Sequence, residues 1–307
     1  MLGPTARALK QAGKAGVLEP APDIFDRTLV RRRRMRARLA DADFLLAEVA
    51  ERLAERLDDL TPRFPTALAL GARGGVARKA LQGRGGIARL IEADLDAALL
   101  AGAAEAVALD AEFLPFGEQT LDLVFASLDL HVANDLPGAL LQIRRSLRPD
   151  GLFLAALFGP ATLAPLRQAF LEAESALDAP AAPHVAPFVD IRDAAALLQR
   201  AGFALPVADT ETITVSYGEP FRLLQDLRDM GEANVLRARN RQPLRREVLL
   251  AALARLQEIA AAPDGRLAIP FEIVFMAGWA PAASQQQPAR RGSGQVSLAD
   301  ALKPKTE

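Results

Sequence analysis

Short apolar runs that end on glycine or aspartate, with helical patterns between them, predict an α/β protein on a doubly wound parallel sheet with right-handed crossovers. Three observations carry that prediction. Phe64–Leu70 is a compact apolar run closed by the glycine-rich turn GARGG and followed by the helical stretch VARKALQ, the order strand, tight turn, helix. The runs Ile87–Ala93 and Ala106–Leu109 close on Asp94 and Asp110. Leu121–Ser127 and Gly151–Leu157 are almost continuously apolar, as strands covered on both faces are.

Taken in order, the chain opens with a basic segment over 1–40, in which Arg31, Arg32, Arg33 and Arg34 form the densest charge run. Such a run reads as the solvated face of a first helix, or as a contact for a partner or a membrane surface. Residues 41–60 place apolar side chains at helical spacing among acids and arginines, an amphipathic helix. After the five strands named, with a helix over Asp135–Leu147 and the turn RPDG ahead of the fifth, Phe203–Ser216 and Ile269–Trp279 read as two more strands. The segment 219–262 between them is too long for a plain loop and mostly helical in pattern, so it is expected to roof the carboxyl ends of the parallel strands as a lid. One domain over 41–283 results, followed by a polar tail over 284–307 with a short terminal helix at Ser297–Leu302.

Composition narrows the chemistry. The 307 residues include no cysteine, which excludes a disulfide framework, a thiolate nucleophile, a cysteine-based zinc site and an iron–sulfur cluster. His131 and His184 are the only histidines, and they lie too far apart in sequence for a local ligand motif, so no metal site is assigned. With 62 Ala, and 32 Arg against 5 Lys, the usage matches a GC-rich bacterial genome and carries no functional weight. Basic and acidic residues balance at 37 and 38, so the chain as a whole is not a nucleic-acid-binding polycation. No stretch reaches the ~18 apolar residues of a membrane span, and a cytoplasmic location is expected.

The strand ends supply the candidate site. A glycine turn after the first strand, with Gly71 and Gly75, lets backbone approach a ligand. Asp94, 23 residues beyond Gly71, is spaced to accept the hydroxyls of a ribose. Asp110, with Ala111 beside it, could accept from an adenine amino group. Leu128 to His131 follow the fourth strand. His131 is a candidate base or a hydrogen-bonded rim residue, and His184, between prolines, reads as a loop residue. In LQDLRDMGEAN, Asp226, Arg228, Asp229 and Glu232 recur at helical spacing, either as surface ion pairs or as a substrate lid in which Arg228, Glu232 and Asn234 grip a guanidinium or peptide backbone. Trp279 reads as packing at a strand end.

These motifs resemble a known group. The order ALALGARGG, IEADL and LDAEFLPFGEQTLDLVFASLDLHVANDLPGALLQIRRSLRPDGLFLAALFG is similar to the class I S-adenosylmethionine-dependent methyltransferases, particularly the type 11 set that includes the malonyl-carrier-protein methyltransferases. FDRTLVRRRRMRA, SYGEPFRLLQDLRDMGEAN, FEIVFMAGW and RGSGQVSLADAL narrow the resemblance to bacterial relatives of a mitochondrial complex I assembly factor that hydroxylates a protein arginine. The resemblance implies a seven-stranded Rossmann-like sheet with S-adenosylmethionine as cofactor. It places Gly71, Gly75, Asp94, Asp110, Ala111 and Leu128 against the cofactor. It also implies a protein client, the complex I iron–sulfur subunit, whose arginine is hydroxylated or methylated. Two positions depart from the family loop: Ala69 stands where an acid is usual and Arg73 where the middle glycine is. The first change removes a partner for the cofactor's ammonium group, and the second adds bulk and positive charge. Two alternatives stay open, a small-molecule or carrier-protein methyltransferase and a non-catalytic assembly chaperone.

Overall fold

A computed structural model describes residues 23–39 and 42–285. The tail over 286–307, with the expected helix at Ser297–Leu302, lies outside them. The elements in order are α1 (Arg27–Met35), α2 (Phe44–Glu55), β1 (Thr66–Leu70), α3 (Val76–Leu81), β2 (Arg89–Asp94), β3 (Glu105–Ala108), β4 (Leu121–Ser127), α4 (Leu136–Ser146), β5 (Leu147–Phe158), α5 (Ala164–Ala176), α6 (Ile191–Ala201), β6 (Ala204–Tyr217), α7 (Pro220–Asp229), α8 (Arg246–Ile259) and β7 (Leu267–Trp279).

Seven strands form one sheet in the order β3-β2-β1-β4-β5-β7-β6. The first five are parallel, as expected, but β7 runs antiparallel between β5 and β6, so the sheet is mixed. The reason is local. β6 and β7 pair as the two arms of one long antiparallel ribbon, from Ala204 against Trp279 to Tyr217 against Leu267, and the helical insertion joins the far ends of the arms.

Alternation along the strands builds two cores. Leu123, Phe125, Leu154, Phe271 and Phe275 face α2, α3, α5, α7 and α8. Leu68, Leu70, Val124, Phe153 and Met276 face α4 and α6. The central strands are buried through to their carboxyl ends, and Gly71, Asp94 and Leu128 lie at or just beyond those ends. Trp279 packs at its strand end against Phe64, ring centroids 6.1 Å apart.

Above those ends lie α1 and the insertion, stitched together by backbone. Asp26 N donates to Val235 O at 2.9 Å, Arg237 N to Ile24 O at 2.9 Å and Arg38 N to Asp229 O at 2.8 Å. Gly231, at φ +78°, ends α7 in the left-handed region. A Cβ there would meet Arg34 Cα at 3.3 Å, so glycine allows the lid to sit directly on α1. The insertion therefore packs directly on α1, so the described part of the basic segment lies against it. No helix among the described residues is long and apolar enough to cross a membrane.

Candidate functional site

Two regions lie side by side over the strand ends. The first is the cleft at the β1 turn. Gly71, Gly74 and Gly75 take positive φ, and so does Arg73 at +47°, a conformation that disfavours its side chain. What holds Arg73 there is its guanidinium, in a residue only 4% exposed. Nη1 donates to Met230 O at 3.0 Å, and Nη2 donates to Leu128 O at 2.9 Å and to the Glu232 carboxylate. Asp129 packs onto the turn so closely that a Cβ at Gly71 would meet its Cβ at 2.6 Å.

The strand-end acids are in place, yet each holds an arginine of α1. Asp94, buried, accepts from Leu95 N at 2.8 Å and Arg73 N at 3.2 Å, and lies 3.4 Å from Arg34 Nη1. The Arg34 guanidinium also pairs with Asp129. Asp110 accepts from Arg27 Nε at 3.0 Å and from Glu112 N at 3.1 Å, while Ala111 packs into the core. The expected solvated run thus splits. Arg34 is buried at 3% exposure, Arg33 is half-buried, Arg31 pairs with Asp96 from an exposed position, and Arg32 is exposed with no ion pair among the described residues. Helix geometry explains this, because residues 27, 30 and 34 lie on one face and that face is pressed onto the acids.

Electrostatics keep the cluster ionised. Burial pushes the Glu232 carboxyl up, but Arg73, His131 and Arg34 outweigh it and hold the group well below the ordinary carboxylate range. Burial likewise opposes ionisation of Asp129, and Arg34, Arg27 and Arg73 reverse the effect. For Arg34, burial lowers the pKa while Asp129, Asp94 and Glu232 raise it beyond the ordinary value.

The second region is a cavity of about 380 Å³ under the lid. Leu163, Leu166, Phe170, Phe188, Leu224 and Leu249 line its apolar part, and Arg228, Glu232, Asn234, His131 and His184 supply polar groups. His131 and Glu232 also border the cleft, so this pair forms the shared wall. His131 Nε2 lies 3.1 Å from Glu232 Oε2. An ionised carboxylate only accepts, so Nε2 carries the proton facing Glu232; in the neutral ring Nδ1 is then the acceptor, and it has no partner among the described residues. The ring packs edge-on to Phe158 at 4.9 Å. A base whose far nitrogen is oriented by a carboxylate is a workable general-base arrangement.

Arg228, Glu232 and Asn234 all line the cavity, but Glu232 and Asn234 are held by the protein's own groups. α7 stops at Asp229, so Glu232 is not on its helical face; the turn at Gly231 brings it to Arg73 and His131, leaving no free carboxylate edge for a substrate. Asn234 is also engaged, donating to Pro183 O at 2.7 Å and accepting from Leu236 N at 3.0 Å. Asp226 and Asp229 make local pairs with Arg222 and Gln225. His131 is buried rather than at the rim, and His184 stacks on Phe170 at 4.0 Å with Nε2 2.7 Å from Glu174. The pairing of Asp129 with Arg34 is what sequence reasoning missed, and the signal was acids at strand ends with an arginine run elsewhere in a chain of balanced charge.

For S-adenosylmethionine, the nucleoside end fits in residue type, with Asp94 and Asp110 at successive strand ends. The methionine end does not fit in this conformation. Ala69 is packed in the core, Arg73 lies across the cleft and Asp129 covers Gly71. Arg73 and α1 must move before a cofactor occupies this place.

Residues 68–155 match the family model for a methyltransferase domain. The YcgJ protein of Bacillus subtilis superposes with a TM-score of 0.52, covering 75% of this chain and 98% of that one at 15% identity, a likeness of fold alone. The human protein named arginine-hydroxylase NDUFAF5, mitochondrial, is 40% identical over 91% of this chain and 83% of its own length. A malonyl-[acyl-carrier protein] O-methyltransferase of Xylella fastidiosa is 35% identical over 84% of this chain and 89% of its own. The sheet, the methyltransferase match and identity sustained along nearly the whole chain have one conclusion: it belongs to the arginine-hydroxylase NDUFAF5 family of enzymes, built on the fold of the S-adenosylmethionine-dependent methyltransferases.

Proposed function

We propose that this protein modifies an arginine of a protein client during assembly of respiratory complex I, receives that client in the lidded cavity and acts in the cytoplasm. The relative named arginine-hydroxylase supplies the substrate class. One observation carries the reading: His131 and Glu232, 101 residues apart, meet on the wall of a cavity roofed by the insertion. In this reading Glu232 orients His131, whose Nδ1 can accept a proton released by the arginine side chain. Insertion of an oxygen atom further requires an external oxygen donor and a two-electron reductant that bind with the client. In the closed arrangement Arg73 also holds Glu232 ionised.

A second reading has its own support. The arginine-filled cleft favours a protein that binds the client without turning it over, an assembly chaperone. Mass spectrometry of the arginines of the complex I iron–sulfur subunit, in wild-type and deletion strains, separates these. Loss of one oxygen from a single arginine on deletion is the expected result. Loss of a methyl group would make the protein a transferase, and unchanged masses with failed assembly would make it a chaperone. Unchanged masses with normal assembly would move the search toward a small-molecule or carrier-protein substrate, as the Xylella relative's name suggests.

A further inference from the structure

We infer that the rim of the lidded cavity is a carboxylate receptor, in which Arg33, Arg228 and Arg239 hold the anionic head of a ligand whose apolar body enters the cavity. The inference gives the proposed client site a specificity element. It rests on that reading only for the origin of the ligand, because the binding is measured without client or cofactor.

The argument begins with Arg33, the member of the arginine run that neither the cleft nor solvent accounts for. It is half-buried, and its Nη1 is out of contact with solvent with no hydrogen-bond partner among the described residues. A buried charged donor left unpaired is costly, so such an atom calls for a partner. Its neighbours make the local charge worse. Burial, and the cations of Arg239 and Arg228, push the Arg33 guanidinium below its ordinary value. Arg228 is exposed on the cavity rim and makes no ion pair among the described residues. Arg239 is shared with Asp26 at 3.2 Å and Leu236 O at 2.7 Å.

The carboxylates nearby are already committed. Glu174 accepts from Ala182 N and contacts His184, and Glu232 holds Arg73 and His131. Asp26, whose charge also acts on Arg33, is held by Leu29 N and Arg239, and Glu174 lines the polar hollow beside Arg33. None of these carboxylates makes an ion pair with Arg33 or Arg228, so these two guanidinium groups stand without a carboxylate partner among the described residues. The two parts of the site adjoin. A polar hollow of about 180 Å³ lined by Arg33, Arg239, Asn240 and Gln242 shares His184, Asn234 and Leu244 with the apolar cavity. Guanidinium groups beside an apolar chamber suit a planar monoanion on a hydrocarbon body.

Isothermal titration of the full chain with hexanoate, hexanol and hexylamine tests this. Hexanoate is expected to bind about tenfold or more tightly than hexanol, with hexylamine weaker still. Arg33→Gln should remove at least about tenfold of the hexanoate affinity and leave hexanol unchanged. Arg228→Gln, a surface change that does not threaten folding, should reduce hexanoate affinity in the same direction. Acetyl-Leu-Glu methylamide identifies the source: tighter binding than hexanoate assigns the anion to a polypeptide, weaker binding to a free acid, and either result supports the receptor. Equal affinity for hexanoate and hexanol, no binding of any probe at millimolar concentration, or hexanoate affinity unmoved by both substitutions would overturn it.

Discussion

The cleft over β1 and β2 and the cavity under the lid share the His131–Glu232 wall, yet they are built by opposite rules. The cleft is closed by charge: Arg34 and Arg73 reach into it, and buried Asp94 and Asp129 and half-buried Glu232 answer them. The cavity is left open by apolar side chains that line a space without filling it. A charged, saturated cleft resists small changes and opens only if its arginines leave together. An apolar chamber rimmed by guanidinium groups is ready for a ligand. The difference puts open space under the insertion and closed, paired charge at the β1 turn.

The largest effect should come from breaking the cleft. Arg34→Met leaves Asp129 and Asp94 buried without their guanidinium, and a loss of about 3–5 kcal/mol in urea unfolding is expected. A loss within about 0.5 kcal/mol would show that the arginine is not the keystone of the cluster. Acid should attack the same place. Glu232 and Asp129 are both held below their ordinary values, so below about pH 4 the unfolded chain binds more protons than the folded one. Stability from the cluster is therefore complete above that range and falls as pH drops through it toward the folded values. Urea midpoints that stay flat down to about pH 3 would contradict this. On the cavity side, Leu249→Ala trims a partly buried side chain beside an existing space and should cost only about 1–2 kcal/mol. Arg32→Ala, on the exposed face of α1, should change stability by less than about 0.5 kcal/mol, a direct contrast with Arg34 two residues on.

Much of this fold is legible in the sequence, for physical reasons. β4 occupies Leu121–Ser127, the span its apolar run predicts, because a strand covered on both faces must be apolar throughout and its ends are set by the polar turns. The lid was visible as an insertion too long to be a loop, and Asp94 as an acid that closes a strand. The antiparallel β7 was not visible, since direction is a property of pairing and the residues of β7 would suit either sense. The burial of Arg34 was hidden for a different reason. A run of four arginines has no polar–apolar contrast, so periodicity cannot say which one points inward, and only the counter-charges on distant strands decide it. Glu232 was read as a helical lid residue because the spacing continues past Asp229, whereas Gly231 ends the helix first.

The central claim is that Arg73 closes the cofactor cleft. Arg73→Gly removes the side chain at a position whose backbone already has a glycine-like φ of +47°. Calorimetric titration of wild-type and Arg73→Gly protein with S-adenosylhomocysteine tests the claim directly. The account predicts weak binding by the wild type and at least about a tenfold gain in the variant. Tight binding by the wild type, with no gain or a loss on substitution, would contradict it.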